Sequence, residues 1–433
     1  MTTTLPVANL AAIVFIACAL AAGCATTPEV PVLAPVETRS TNIVGQAVPP
    51  PVSGVPRGAP LVRAVPATGT PPAALVYPGE RQGRVRVMAL LPPNVTRDRD
   101  GWATDIFAAF AALRLSPSAE NVCATIAVIE QESGFQADPE VPGLARIAWR
   151  EIEIRRQRHH IPKLALDAAL AKTSPDGRTY RQRIESFRTE RQMSLLYSDI
   201  IDEVPGGKLL LEGYNPVHTG GPMQVSVAFA TEHAREKPYG AALGRELGGD
   251  LRNAVFTRRG GLYFGIAHLL DYPAPYRDTI YRFADFNAGR YSSRNAAFQQ
   301  AVVQLTGKAL SLDGDLLGYE NGVPGSELSA TEKAVLKLAR RLKLSPGEIS
   351  AGLRQEKNET FARTSLCQRV FALADEATGR RVPREILPRI ALKSPKIRSK
   401  ITTAWFAERV NARYGICLRR AAEPAGTLPT TPS

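Results

Sequence analysis

Residues 116–135, SPSAENVCATIAVIEQESGF, read as one helix with a carboxylate at its end. Ser116 suits the N-cap, and Pro117 suits the first helical position, where its missing N–H would be unpaired anyway. Glu120 sits near the positive end of the helix dipole. Val122, Ile126 and Ile129 follow at spacings of four and three and share a face. Gly134 is a natural stop. Glu132 therefore falls in the last turn, beside the buried stripe. The negative end of the dipole and partial desolvation both disfavour its ionised form, as a general acid working near neutral pH requires. Glu130, about 200° round the helix, cannot share a site with it. A surface helix that simply ends at Glu132 accounts for the same residues, so the rest of the chain has to decide.

The chain has 433 residues, enough for two or three domains, and is 44% apolar. Lys and Arg number 54 against 41 Asp and Glu, a net charge of +13. Such an excess points to a polyanionic partner: nucleic acid, acidic lipid or acidic cell wall. Zinc-finger spacing, RNA-binding signatures and basic-plus-heptad regions are missing, which argues against nucleic acid. The five cysteines are Cys18, Cys24, Cys123, Cys367 and Cys417. None has metal-ligand spacing, so neither a metal nor a cofactor is expected. An oxidising compartment would let Cys367 and Cys417 pair and staple the C-terminal helices, leaving Cys123 as a buried thiol.

Residues 9–23, NLAAIVFIACALAAG, form an apolar run too short for an ordinary membrane span and of signal-peptide length. The run ends Ala21-Ala22-Gly23-Cys24, which resembles a bacterial lipobox, with Ala21 in place of the commoner Leu and no preceding Lys or Arg. The resemblance implies cleavage before Cys24 and lipidation of its sulfur and amine. Ala25 then implies an outer-membrane lipoprotein facing the periplasm. An ordinary secretory signal is the alternative. Residues 24–95 are Pro-, Val- and Ala-rich, with polyproline II character. At about 3.1 Å per residue this segment could reach on the order of 200 Å, as a tether would.

Folded sequence is expected from 96, with a first domain over 96–310, a C-terminal helical region over 311–420 and a disordered tail over 421–433. Trp102, Ile106, Phe107, Phe110 and Leu113 recur at helical spacing. Residues 144–203 read as helical and basic. His159 and His160 are adjacent, so they do not face one another on a helix, and a solvated basic face suits them better than a metal site. Gly213 to Val225 is a loop, where glycines would admit a ligand close to the backbone. Helical patterning returns at 251–271, at 277–288 and from Leu328 to Arg420.

Three of these segments, in this order, resemble soluble lytic transglycosylases and goose-type lysozymes. The family carries a helix ending Glu-Ser, then a Gly-Leu-Met-Gln loop, then Ala-Tyr-Asn-Ala-Gly. Here the counterparts are Glu132-Ser133, Gly221-Pro222-Met223-Gln224 and Asp285-Phe286-Asn287-Ala288-Gly289. Arg259-Gly260-Gly261-Leu262-Tyr263 resembles the helix before the third motif. The resemblance covers about 96–305. This chain departs at Pro222, at Phe286 in place of Tyr, at Asp285 in a usually apolar position, and in a long helical insertion over 140–212.

The resemblance implies a mainly α, lysozyme-like fold and cleavage of the peptidoglycan β-1,4 bond with one carboxyl. Most glycosidases need two carboxylates. In this family the substrate's own muramoyl C6 hydroxyl attacks C1. By that analogy Glu132 is the acid, Met223 lines the groove, Gln224 and Asn287 present amides to the sugar, Tyr263 packs near the acid, and Ser133 belongs to the binding set. The implied partners are glycan strands and, through Cys24, the membrane. Two alternatives stay open: hydrolysis, with Asp285 or Asp138 activating water, and a non-catalytic wall-binding lipoprotein.

Overall fold

The computed structural model describes residues 78–205, 207, 215–237, 244, 250–320, 323–392 and 401–422. Cys18, Cys24, the signal-like run and most of the tether lie outside the described residues. The described chain is mainly α, and its strands are three antiparallel pairs of two residues each.

The organising helix is α3 (Ala119–Glu132). Its N-cap is Ser118 rather than the expected Ser116: Ser118 Oγ accepts from the Asn121 N–H at 3.3 Å, and the Ser116 carbonyl accepts from Asn121 Nδ2 at 2.9 Å. Every residue from Val122 to Ile129 is buried, so the helix is central rather than one-sided. Ala124 and Ala127, on the side away from the Val/Ile stripe, are small enough to let neighbours approach closely. Those neighbours include α1 (Glu80–Leu90), α10 (Arg258–Leu270) and the last helix, α17 (Thr403–Ala422).

Helix α1 lies upstream of the start expected at residue 96. Val87, Leu90 and Leu91 are buried in the main core. Gly83 lets the Phe107 ring of α2 (Arg99–Leu113) lie flat on α1, because a Cβ there would sit 2.0 Å from that ring.

Between these helices the chain runs through four short helices, α4 (Leu144–Arg158), α5 (Lys163–Leu170), α6 (Tyr180–Glu185) and α7 (Glu190–Glu203). The stretch is helical, as expected, and has its own apolar centre of Leu144, Leu170, Tyr180, Ile184, Leu196 and Ile200. Next come the hairpin β1 (Thr219–Gly220) and β2 (Val225–Ser226), α8 (Val227–Glu236), α9 (Leu251–Val255) and α10, then α11 (Ile280–Ala288) and α12 (Ser292–Thr306).

A second apolar centre joins α12 to α13 (Ala330–Leu336), α14 (Ala339–Leu342), α15 (Pro346–Leu353) and α16 (Ser365–Thr378), with a short 3₁₀ turn at Glu359–Arg363. A buried polar joint sits beneath it. Asn295 Nδ2 donates to the Glu356 carbonyl at 3.0 Å and to the Gly314 carbonyl at 3.1 Å, while the Glu356 carboxylate accepts from the Leu316 N–H and the Tyr319 hydroxyl.

The boundary expected at 311 does not hold for the last helix. Helix α17 leaves the C-terminal region and packs along α3 and α11, placing Phe406, Ala407, Val410 and Cys417 in the main core. This return also corrects the disulfide. Cys417 pairs with Cys123 of α3, at a Cα–Cα distance of 5.4 Å, and Cys367 is a buried free thiol in the second centre. Cys367 cannot meet Cys417 because the two residues belong to different cores.

The crosslink spans a sequence separation of 294 residues, so it removes much freedom from the unfolded chain. We expect the Cys417→Ala variant to lose about 2–4 kcal/mol of unfolding free energy. Reductant should lower the wild type toward the variant and leave the variant unchanged. Denaturant titration with and without reductant reads this, and non-reducing peptide mapping should recover Cys123 joined to Cys417.

Candidate functional site

Glu132 is the final residue of α3, and the turn beyond it is built to hold that end still. The Ser133 N–H donates to the Ile129 carbonyl at 3.0 Å, and its Oγ donates to the same oxygen at 3.1 Å. Gly134 and Phe135 then take left-handed backbone angles, with φ of 56° and 63°. Such a pair turns the chain sharply, and a non-glycine residue adopts it only when its surroundings compensate. The compensation for Phe135 is its ring, which meets Trp102 of α2 edge-on at 5.1 Å. The Arg258 guanidinium at the start of α10 covers Trp102 at 5.3 Å and is paired with Asp98 and Asp105.

The Glu132 side chain keeps part of its surface open, but the protein packed round it removes most of its hydration. Burial pushes its pKa up to about 8. Among the described residues no cation or hydrogen-bond donor is placed on its carboxylate. Glu130 behaves differently: it reaches Arg413 of α17 at 3.6 Å.

The hairpin loop from Thr219 to Ser226 lies on α10, and two glycines four residues apart make the contact. A Cβ on Gly261 would sit 2.6 Å from Pro222 Cδ, and one on Gly265 would sit 2.5 Å from Met223 Sδ. Gly221, at φ +73°, brings the loop against Gly261 and Val255. Met223 is therefore completely buried and does not line a groove, contrary to expectation. Gln224 is partly exposed; its Nε2 donates to the Gly221 carbonyl at 3.1 Å.

The third segment ends α11. Asp285 was a candidate for activating water, but it is fully buried and structural. It accepts hydrogen bonds from Tyr276 Oη at 2.6 Å, Tyr272 Oη at 3.2 Å, the Tyr291 N–H at 2.8 Å and the Ser293 N–H at 2.7 Å. Burial raises its pKa, and these donors oppose the rise. Asn287 is buried too, its Oδ1 accepting from Thr403 Oγ1 of α17 at 2.9 Å. Behind Phe286 stands His268, with Nε2 3.2 Å from the Phe286 carbonyl and its ring 4.6 Å from Phe229. Burial pushes His268 down to about 3 and its neighbour His233 to about 4, so both stay neutral in the core.

The structure thus places Ile129 of α3, Met223, Tyr263 and Phe286 in the main apolar core and leaves Glu132 and Gln224 partly exposed. Ser133, Met223, Tyr263 and Asn287 form its interior framework. The insertion is tied in at both ends. Thr189 at the start of α7 donates to Asp138 at 2.9 Å, and the Val141 N–H donates to the Arg188 carbonyl at 2.7 Å. At the other root Asn215 Nδ2 reaches Ser194 Oγ at 3.4 Å and its Oδ1 accepts from the Val217 N–H at 3.0 Å. No sequence signal announced these roots, the tyrosines round Asp285 or the two buried histidines.

The raised pKa of Glu132 has a defined consequence for stability. The unfolded chain releases this proton near the ordinary value of 4.5, and the folded chain holds it to about 8. The folded state therefore binds the extra proton in between, and stability falls as pH rises across that window. Glu132→Gln removes the dependence. We expect the variant to match the wild type at pH 4 and to exceed it at pH 8 by at least about 1 kcal/mol, read from denaturation midpoints at the two pH values.

Comparison with known proteins adds a family but no chemistry. A protein of Escherichia coli (strain K12), described as "Uncharacterized protein YaiW", is 49% identical over 328 residues, covering 76% of this chain and 87% of its own. No solved structure matches. A family model matches residues 95–420, a span that takes in the three segments, the insertion, the second core and nearly all of α17. On that match the chain belongs to the family described as "Protein of unknown function (DUF1615)".

Proposed function

We propose that this protein cleaves the β-1,4 bond between N-acetylmuramic acid and N-acetylglucosamine in peptidoglycan by lytic transglycosylation, with Glu132 as its one catalytic carboxyl. The observation that carries the reading is the state of Glu132: partly open to solvent, unpaired among the described residues, and raised by burial to about 8. Such a group is mostly protonated at neutral pH. It donates that proton to the glycosidic oxygen as the C1–O bond breaks. The muramoyl C6 hydroxyl then bonds to C1, its proton passes to the Glu132 carboxylate, and the acid is restored. The substrate supplies the nucleophile, so a second carboxylate is not needed. Asp285 is a poor candidate for activating water, because it is fully buried with its oxygens engaged. Gln224, at the edge of the core, is the residue we assign to contact the sugar amide or hydroxyls. The basic excess of the chain suits an acidic wall polymer. We place the protein in the cell envelope, held at the outer membrane by lipidated Cys24 and facing the periplasm through its tether.

Purified protein acting on sacculi tests the reading. Glu132→Gln should lose at least about 10²-fold of fragment release while still binding sacculi. Glu130→Gln should stay near wild type. Mass spectrometry should find anhydro-muramic ends; reducing ends would mean hydrolysis. A wild type that binds sacculi and releases nothing would make the protein a wall-binding module.

A further inference from the structure

The helical insertion carries a cavity that the proposed cleavage does not use. It has a volume of about 390 Å³ and lies between α6, α7 and the turn that precedes α6. That is at the small end of ligand sites, which run roughly 300–1,000 Å³, and suits a molecule of dipeptide size better than a glycan strand. Phe187, Leu195 and Pro175 supply an apolar wall.

The charges round it are balanced and incompletely used. Arg183 is buried and bonds Asp199 at 2.6 Å and Asp176 at 3.4 Å. Arg178, about half exposed, gives Asp176 two hydrogen bonds, of 2.6 and 3.1 Å, and Ser186 one of 3.1 Å. A guanidinium has five N–H donors, so two on Arg178 remain after these three bonds. On the acidic side Asp199 Oδ2 takes Arg183, and its Oδ1 accepts nothing among the described residues. Two guanidinium groups face two carboxylates, so an added net charge would upset the balance. A ligand with one carboxylate and one ammonium would not, and would engage both unused sets, those on Arg178 and on Asp199. A neutral ligand would leave both sets unmet.

We propose that this cavity binds a short zwitterionic peptide, either free or as the charged peptide arm of a larger polymer. The site stands apart from Glu132 and does not depend on glycan cleavage. The lobe that holds it is nevertheless rooted at 138–141 and 215–217, directly after the first catalytic-type segment and just before the loop that carries Gln224.

Calorimetric titration of the full mature chain with unblocked Ala-Ala, N-acetyl-Ala-Ala and Ala-Ala amide tests it. Ala-Ala should bind with a Kd of about 1 mM or tighter, and each block should weaken binding about tenfold or more. Arg178→Gln should remove the preference for the free carboxylate. Leu195→Trp fills the cavity without touching its charges; with an unchanged circular dichroism spectrum it should abolish binding. No saturable Ala-Ala binding, equal binding of the blocked forms, or unchanged binding by folded Leu195→Trp would each overturn the proposal. Sacculi with and without their peptide arms separate the sources. A binding loss in Leu195→Trp on arm-bearing sacculi alone assigns the polymer-attached peptide, and no loss on either, with Ala-Ala binding intact in the wild type, assigns the free one.

Discussion

The main core depends on α3 meeting α17. α3 is buried on all sides through its middle, and such a helix holds its position only if every neighbour is present. α17 supplies the largest of those neighbouring surfaces and is covalently joined to α3. The same helix also steadies the third of the three segments. Thr403 holds Asn287 at the end of α11, and the Tyr414 ring meets Phe283 of α11 at 5.6 Å. An acid at the end of α3 is therefore positioned by the last twenty residues of the described chain as much as by its own helix.

The candidate residues divide into a buried set and a partly exposed one. Met223, Tyr263, Asn287 and Ser133 sit inside, where they fix the hairpin, α10 and α11 relative to α3. Glu132 and Gln224 remain at the surface. That arrangement suits chemistry that needs one proton donor in a poorly hydrated position, because desolvation is maintained by packing and not by a charged neighbour. It also explains Asp285: a carboxylate can take an ordinarily apolar position when two tyrosines and two backbone N–H groups surround it.

Local features were legible in the sequence, and long-range pairings were not. The spacing of Val122, Ile126 and Ile129 identified α3 and put Glu132 in its last turn. The helical character of residues 144–203 followed from their own patterning. The disulfide was misread because nothing in the spacing of Cys367 and Cys417 says that α17 folds back across the molecule. Helix α1 was hidden because ERQGRVRVMAL is polar and adjoins a Pro-rich segment; its burial rests on Gly83 admitting Phe107, a contact between distant residues. Met223 was expected to line a groove by analogy with the family's loop, and the glycines of that loop were read as room for a ligand. Those glycines instead admit α10, since Gly261 and Gly265 leave a flat strip for the loop.

The return of α17 also bears on when the protein can acquire its structure. A core that needs Cys417 beside Cys123 stays open until α17 has been made. During elongation the apolar residues of α3 emerge about three hundred residues ahead of the surface that covers them. Contacts so distant in sequence form slowly, and an early helix without its cover invites a chaperone or an aggregate. The main core of the nascent chain is thus kept open by its own topology until α17 emerges, the condition under which a polypeptide can still be threaded through a narrow channel.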